Sequence, residues 1–289
     1  MSNKIKALHK AIEELRTKEE VHFSQFLKEE YLSVDLISNI ERFETSNEFE
    51  RTLALFDEYA PTAKKVAVFG AGNGTAAVNV ARKNYEVIAV EDSLHPNLGA
   101  KALYTLKDAY KLQNFDIINS TWEKTPIPTN SVDIVYMRQN LNYADDLDKV
   151  LKEIGRILKL GGVLIATRTQ VLLDDEDKDE YLQHSIFYNS DNAYSIKAYK
   201  NAIFSAGLNI WKTLKYYDST INYLPNEKAE LIEKSIKNQK TIQLIHNSLA
   251  MKVPFIKDYY AKSTLENYGL LLEEKAIYPR FYTYIAVKD

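Results

Sequence analysis

The densest concentration of chemistry in this chain is a turn, Gly70-Ala71-Gly72-Asn73-Gly74, between an apolar run and an amphipathic stretch. Glycine is scarce, nine in 289 residues, so three within five positions mark a place where the backbone itself is needed. Bare backbone lets a ligand come within contact distance, and the free N–H groups at a helix start favour an anionic group. Glu91 ends the next apolar run, where a carboxylate offers two acceptor oxygens to a ribose diol. Turn and acid together signal an adenosine-type cofactor without saying which one. A P-loop is excluded, because no Lys-Ser/Thr follows the glycines. The nicotinamide fingerprint G-x-G-x-x-G is weakened, because Thr75 stands where the third glycine would fall.

The loop after the fourth apolar run, Arg138-Gln139-Asn140-Leu141-Asn142-Tyr143, offers further polar candidates. Tyr143 could donate a hydrogen bond or, with a lowered pKa, act as a base. Arg138 could hold a substrate carboxylate, although pairing with a nearby Asp or Glu is the plainer role. Trp122 is suited to stacking on a cofactor or walling it. His95 reads as an exposed loop histidine, and His22 as a packing residue on a helix that could cover the pocket. With no cysteine and no HxxxH pair, no metal-dependent mechanism is indicated.

These residues need a scaffold, and hydrophobic periodicity supplies one. Apolar runs at 65–69, 86–91, 115–118, 132–137 and 163–167 suit strands buried on both faces. Helical patterns lie between them, at about 76–81, 97–112 and 145–160, the last closing on Gly161-Gly162 as a C-cap. A helix over 195–206, a strand near 208–217 and a final strand over 280–287 follow. The expected fold is therefore α/β: a doubly wound, seven-stranded, mostly parallel sheet. Residues 1–60 read as N-terminal helices, with Asn47 capping the last of them, and 225–275 as a helical insertion before the last strand. Both extras are expected to cover the cofactor-binding core at 61–224, which residues 276–289 complete. The acidic stretch 173–192 reads as a solvated loop or helix face. The cluster of late tyrosines suits a pocket or an interface, or simply reflects AT-rich coding sequence.

Composition narrows the partners. A net charge of -3 gives no global attraction to phosphate backbones, so general nucleic-acid binding is not expected. No apolar stretch reaches the ~18–20 residues of a membrane span. Charges every few residues at the N-terminus exclude a secretion signal there, which makes the cytoplasm the expected location. The expected partner is a small-molecule substrate, and the sequence leaves the oligomeric state open.

On these motifs the chain resembles the class I S-adenosylmethionine-dependent methyltransferases, of the small-molecule kind called methyltransferase type 11. The family's first motif is similar to Val66–Gly74, and its strand-two acid to Glu91 in Val90-Glu91-Asp92-Ser93. Its Gly-Asp-Ala-Glu-x-Leu-Pro-Phe-Pro stretch is similar to Ser120–Pro128. The "LHHxxD…ExxRVLKPGGxLL" segment resembles Leu141–Asp146 leading to Glu153–Leu164. The resemblance is close over about 62–170, loose over 195–217 and 279–289, and absent over 1–60 and 225–275. It implies S-adenosylmethionine as cofactor, held by Gly70, Ala71, Gly72, Asn73, Gly74, Glu91, Asp92, Thr121, Trp122 and Gln139. The catalytic candidates are Tyr143, Asn142 and Arg138. The chain departs from the family at Val68, where an acid is usual, and at Thr121, where an Asp contacts the adenine amino group. Asn142 and Tyr143 replace a His-His pair. The reaction implied is in-line methyl transfer to a small molecule. The alternative motivated by Val68 and Thr121 is a binding or scaffold protein that kept the fold and lost activity.

Overall fold

The apolar runs form strands because their β-branched residues can bury both faces of a pleated surface. In the computed structural model they are β1 (Lys65–Phe69), β2 (Glu86–Val90), β3 (Phe115–Ile118), β4 (Val132–Arg138) and β5 (Leu158–Leu172). A two-residue β6 (Tyr194–Ser195), β7 (Leu208–Leu214) and β8 (Phe281–Lys288) complete the set. The structure describes residues 3–16, 33–173, 193–216, 219–222 and 280–289. The expected insertion at 225–275, most of the acidic stretch and His22 lie outside them.

The sheet order is β3-β2-β1-β4-β5-β8-β7, with β6 paired to the far end of β5. Strands β1 to β5 run parallel, and β8 is antiparallel to both of its neighbours. This is the α/β, doubly wound, Rossmann-like arrangement, with seven strands along the main path. Alternation along β1 shows why both faces are covered. Ala67 and Phe69 enter one apolar core, while Val66 and Val68 enter the other. Strand order reverses at β1, between β2 and β4, which opens a crevice at their carboxyl ends.

Helices α1 (Asn3–Arg16), α2 (Leu36–Glu44) and α3 (Asn47–Tyr59) precede the sheet. Between and after the strands come α4 (Thr75–Arg82), α5 (Ala100–Tyr110), α6 (Leu147–Ile157) and α7 (Ile196–Ser205). Two sequence expectations change here. Ser46, not Asn47, caps α3, its hydroxyl accepting the Phe49 N–H at 3.1 Å. Gly161-Gly162 does not cap α6, which ends at Ile157. The chain is already extended at Leu158, which pairs with Val132, and Gly161 (φ +74°) sits in a bulge before pairing resumes at Ile134–Val163. Strand β5 also runs beyond Thr167, through Arg168 at φ +50°, where its pairing with β8 shifts register.

Candidate functional site

The crevice at the reversal point holds a cleft of about 740 Å³, counting the space open at its mouth. The turn after β1 forms its floor, and Gly70, Ala71, Gly72 and Asn73 all line it. Gly70 and Gly72 have φ of +62° and +53°, the left-handed region that glycine adopts without steric cost. A Cβ on Gly70 would stand 2.4 Å from Asn140 Nδ2 and 2.6 Å from Trp122 Cζ2. On Gly72 it would meet only the Gly70 carbonyl oxygen, at 3.9 Å, so the backbone there is open to a ligand.

Glu91, one residue past β2, reaches across to this turn. Its Oε2 accepts the Gly72 N–H at 2.8 Å and its Oε1 accepts the Ser93 N–H at 3.0 Å. It is buried, and burial pushes its carboxyl up from 4.5 to about 7 against the pull of the backbone N–H groups. Trp122 and Gln139 also line the cleft, as do the catalytic candidates Arg138 and Tyr143. Gln139 is held at φ +56° with its N–H on the Thr167 carbonyl at 2.8 Å, so the chain turns sharply as it leaves β4.

Four expected residues are not among those lining the cleft. Gly74 caps α4 in the left-handed region, and its Cβ position is taken by Leu106 Cδ1 at 2.5 Å. Asp92 follows the acid but lies off the cleft wall, and Thr121 is exposed. Asn142 is buried, with its side-chain N–H on Gln170 Oε1 at 3.2 Å. Arg138 takes the plainer of its two expected roles. Its Nε and Nη2 donate to the two Glu48 carboxylate oxygens at 2.7 and 2.8 Å, and its guanidinium lies 4.4 Å from the centre of the Phe43 ring. Arg168 Nη1 reaches the same carboxylate at 3.0 Å.

Two features of the site had weaker signals in the sequence. Asn140, one residue beyond Gln139, donates from Nδ2 to the carbonyls of Phe69 (2.6 Å) and Gly70 (2.9 Å), bracing the glycine turn from β4. Helix α1 closes one side, with Leu8, His9 and Ile12 lining the cleft. It is tied to the loop after β2 by His9 Nδ1 with Ser93 Oγ (3.3 Å) and by His95 Nε2 with Glu13 Oε1 (3.1 Å). His95 is thus half-buried and engaged, not the exposed loop residue its context suggested. The i, i+4 spacing of Leu8 and Ile12 announced a buried face but not its partner.

The site's residues fit an adenosyl cofactor: an open glycine turn, an acid beside it, and two buried polar atoms on the cleft wall with no partner among the described residues. Those atoms are Trp122 Nε1 and Asn140 Oδ1.

Comparison with known proteins places the core. Residues 68–166 match the methyltransferase domain family. A dimethylglycine N-methyltransferase of Parasynechococcus marenigrum (strain WH8102) is 30% identical over 113 residues, 37% of this chain and 38% of the relative. The chain thus matches well under half the length of that relative. Among solved structures, geranyl diphosphate C-methyltransferase from Streptomyces coelicolor A3(2) superposes with a TM-score of 0.57 at 15% identity, covering 94% of this chain and 86% of the other. The [4+2]-cyclase SpnF does so with a TM-score of 0.54 at 17% identity, covering 83% and 80%. At such identities the superpositions speak for the fold alone. The stretch 68–166 is thus similar to a methyltransferase domain, and it holds the motifs that carry the sequence resemblance.

Proposed function

We propose that this chain, whose stretch 68–166 is similar to a methyltransferase domain, transfers a methyl group from S-adenosylmethionine to a small molecule. The observation that carries the reading is the meeting of Glu91 and the Gly70–Asn73 turn in one cleft at the strand-order reversal. Bound there, the cofactor supplies an electrophilic methyl group on a sulfonium. Glu91 accepts the ribose hydroxyls, and the turn lies against the adenosyl group through bare backbone. Trp122 walls the cleft. Leu8 and Ile12 exclude water, which would otherwise solvate the nucleophile and weaken every polar contact inside. Arg138 is locked by Glu48, so it serves as a fixed part of the wall and not as a free hand for substrate. Tyr143 places its ring on the cleft wall beyond β4, where it orients the acceptor. Alignment and exclusion of water are the protein's main contributions to an in-line displacement.

The dimethylglycine and geranyl diphosphate enzymes are named for N- and C-methylation of unlike acceptors. Acceptor choice in this chain is accordingly assigned to residues outside 68–166. Isothermal titration with S-adenosylmethionine, S-adenosylhomocysteine and NAD tests the cofactor. Heat with the first two and none with NAD is expected, and silence from the first two ends the reading. Methyl-labelled cofactor supplied to a metabolite extract then reports the acceptor.

A further inference from the structure

Trp122 reaches the cleft from a connection that has neither helix nor strand, residues 119–131 between β3 and β4. The side chain is nonetheless 3% exposed, and its Cζ2 lies 2.6 Å from where a Cβ on Gly70 would stand. A stretch with no ladder of its own must have its peptide groups fixed in some other way. Ser120 Oγ donates to the Lys124 carbonyl at 2.8 Å, closing a short turn with Trp122 inside it. Just beyond that turn the hydrogen bonds lead away from the cleft, to α6. Glu153 Oε1 accepts both the N–H and the hydroxyl of Thr125, each at 2.7 Å. Arg156 donates from Nη2 to the Ile127 carbonyl at 2.7 Å and from Nη1 to Thr129 Oγ1 at 3.0 Å.

The two α6 side chains also grip each other. Arg156 donates from Nε to Glu153 Oε2 at 2.8 Å and from Nη2 to Oε1 at 2.7 Å. A planar guanidinium forked onto a carboxylate has a fixed geometry, so neither member turns without disturbing what the other holds. Glu153 is buried, and without its carboxylate the Thr125 donors lose their acceptor. Helix α6 is itself anchored through Val150, Leu151 and Ile154 in the apolar core that takes in Trp122. Among the described residues, the hydrogen bonds that tie 121–129 to other elements end on this pair. Neither residue lines the cleft. We infer that Glu153 and Arg156 are positioning residues of the cofactor site, clamping the β3–β4 connection from α6 and so holding the Trp122 ring against Gly70. Ring position is a property of the chain alone; the effect on binding builds on the proposed cofactor.

The chain has two tryptophans, and Trp211 on β7 is 59% exposed. Trp211→Phe therefore leaves Trp122 as the sole indole emitter, and acrylamide quenching of its fluorescence reports how far the ring is withdrawn. Trp122→Phe, which keeps Trp211, gives the exposed reference. In the Trp211→Phe background, Glu153→Gln is expected to move quenching from a protected value toward that reference. Calorimetric affinity for S-adenosylhomocysteine is expected to fall about three- to tenfold, the scale of one aromatic contact. Asp133→Asn is the structural control, because that carboxylate accepts the Lys64 and Lys65 N–H groups at 3.0 and 2.9 Å, at the amino end of β1. It should lower the urea midpoint and leave quenching and affinity alone. If Glu153→Gln lowers the midpoint with both readings at the wild-type value, the pair serves stability alone and the inference is overturned. Quenching that moves with affinity unchanged overturns it too, as does Asp133→Asn moving both readings equally. Should Glu153→Gln not fold, Thr125→Val removes the hydroxyl contact, keeps the side-chain shape and is read the same way, with a smaller loss expected. If wild type does not bind S-adenosylhomocysteine, the cofactor reading itself has failed, while quenching still decides whether the clamp holds Trp122.

Discussion

Glu91 accepts the Gly72 N–H at 2.8 Å, tying the tip of β2 to the turn after β1. This carboxyl is buried, and its pKa is pushed from 4.5 to about 7. The folded chain therefore holds the proton more tightly than the unfolded one, so stability falls as pH rises between those values. From pH 5 to pH 8 the loss is about 2–3 kcal/mol, at about 1.4 kcal/mol per pKa unit. Glu91→Gln cannot ionise, so urea denaturation should find wild type losing that much relative to the variant over this range. A constant difference across pH would show that Glu91 does not titrate there.

The same group couples pH to ligand binding. A ribose diol donates to the ionised carboxylate, so binding below pH 7 must expel a proton. Affinity for S-adenosylhomocysteine should drop about tenfold from pH 8 to pH 6. Calorimetry in buffers of different ionisation enthalpy should register the released proton in wild type and none in Glu91→Gln.

Gly70 and Gly161 share a left-handed backbone but not an environment. Alanine at Gly161 meets no atom within 4 Å and should cost only the conformational strain, about 1 kcal/mol. Alanine at Gly70 must also displace Asn140 and Trp122, with contacts of 2.4 and 2.6 Å. Its destabilisation should exceed that of Gly161→Ala by about 1–3 kcal/mol, as overpacking does, and calorimetric ligand binding should vanish. Equal denaturation midpoints for the two variants would refute this account.

The glycine turn, the acid at the end of β2 and the strand sequence were legible because each rests on local chemistry: a backbone requirement, a side-chain type, a periodicity. Contacts set by strand order were not. Asn140 and Gly70 lie far apart in the chain, and only the adjacency of β1 and β4 brings the amide onto the turn. Motif resemblance points to Thr121, which is exposed, and says nothing of its neighbour Trp122 turning inward. The Gly161-Gly162 pair misled for a related reason, because a helix cap and a strand bulge make the same demand for positive φ.

Glu48 holds two guanidiniums, the fork of Arg138 and Nη1 of Arg168 at 3.0 Å. All three side chains are largely withdrawn from water. Removing one partner of such a group leaves buried charge uncompensated, typically at a cost of about 3–5 kcal/mol. Glu48→Gln should lower the unfolding free energy by about that much in urea. Arg138→Lys should also destabilise, because a lysine cannot reproduce the two-pronged contact or stack on Phe43. A loss below 1 kcal/mol for Glu48→Gln would mean that the cluster is solvated.

Helix α1 reaches the cleft through Leu8 and Ile12, which are 8% and 1% exposed. If it covers bound cofactor, its docking should govern ligand escape more than the stability of the sheet. Ile12→Asp would put a carboxylate against the apolar wall, removing roughly 1.5–3 kcal/mol of burial and adding a desolvation cost. Stopped-flow displacement should then show S-adenosylhomocysteine leaving at least about tenfold faster, since about 1.4 kcal/mol is one order of magnitude. The urea midpoint should fall as well, because Leu8 and Ile12 pack into the same apolar core as Phe69 and Met137 of the sheet. His9→Ala and His95→Ala should act in the same direction more weakly, each releasing one tie to α1. An unchanged dissociation rate in Ile12→Asp would mean that α1 borders the cleft without closing it.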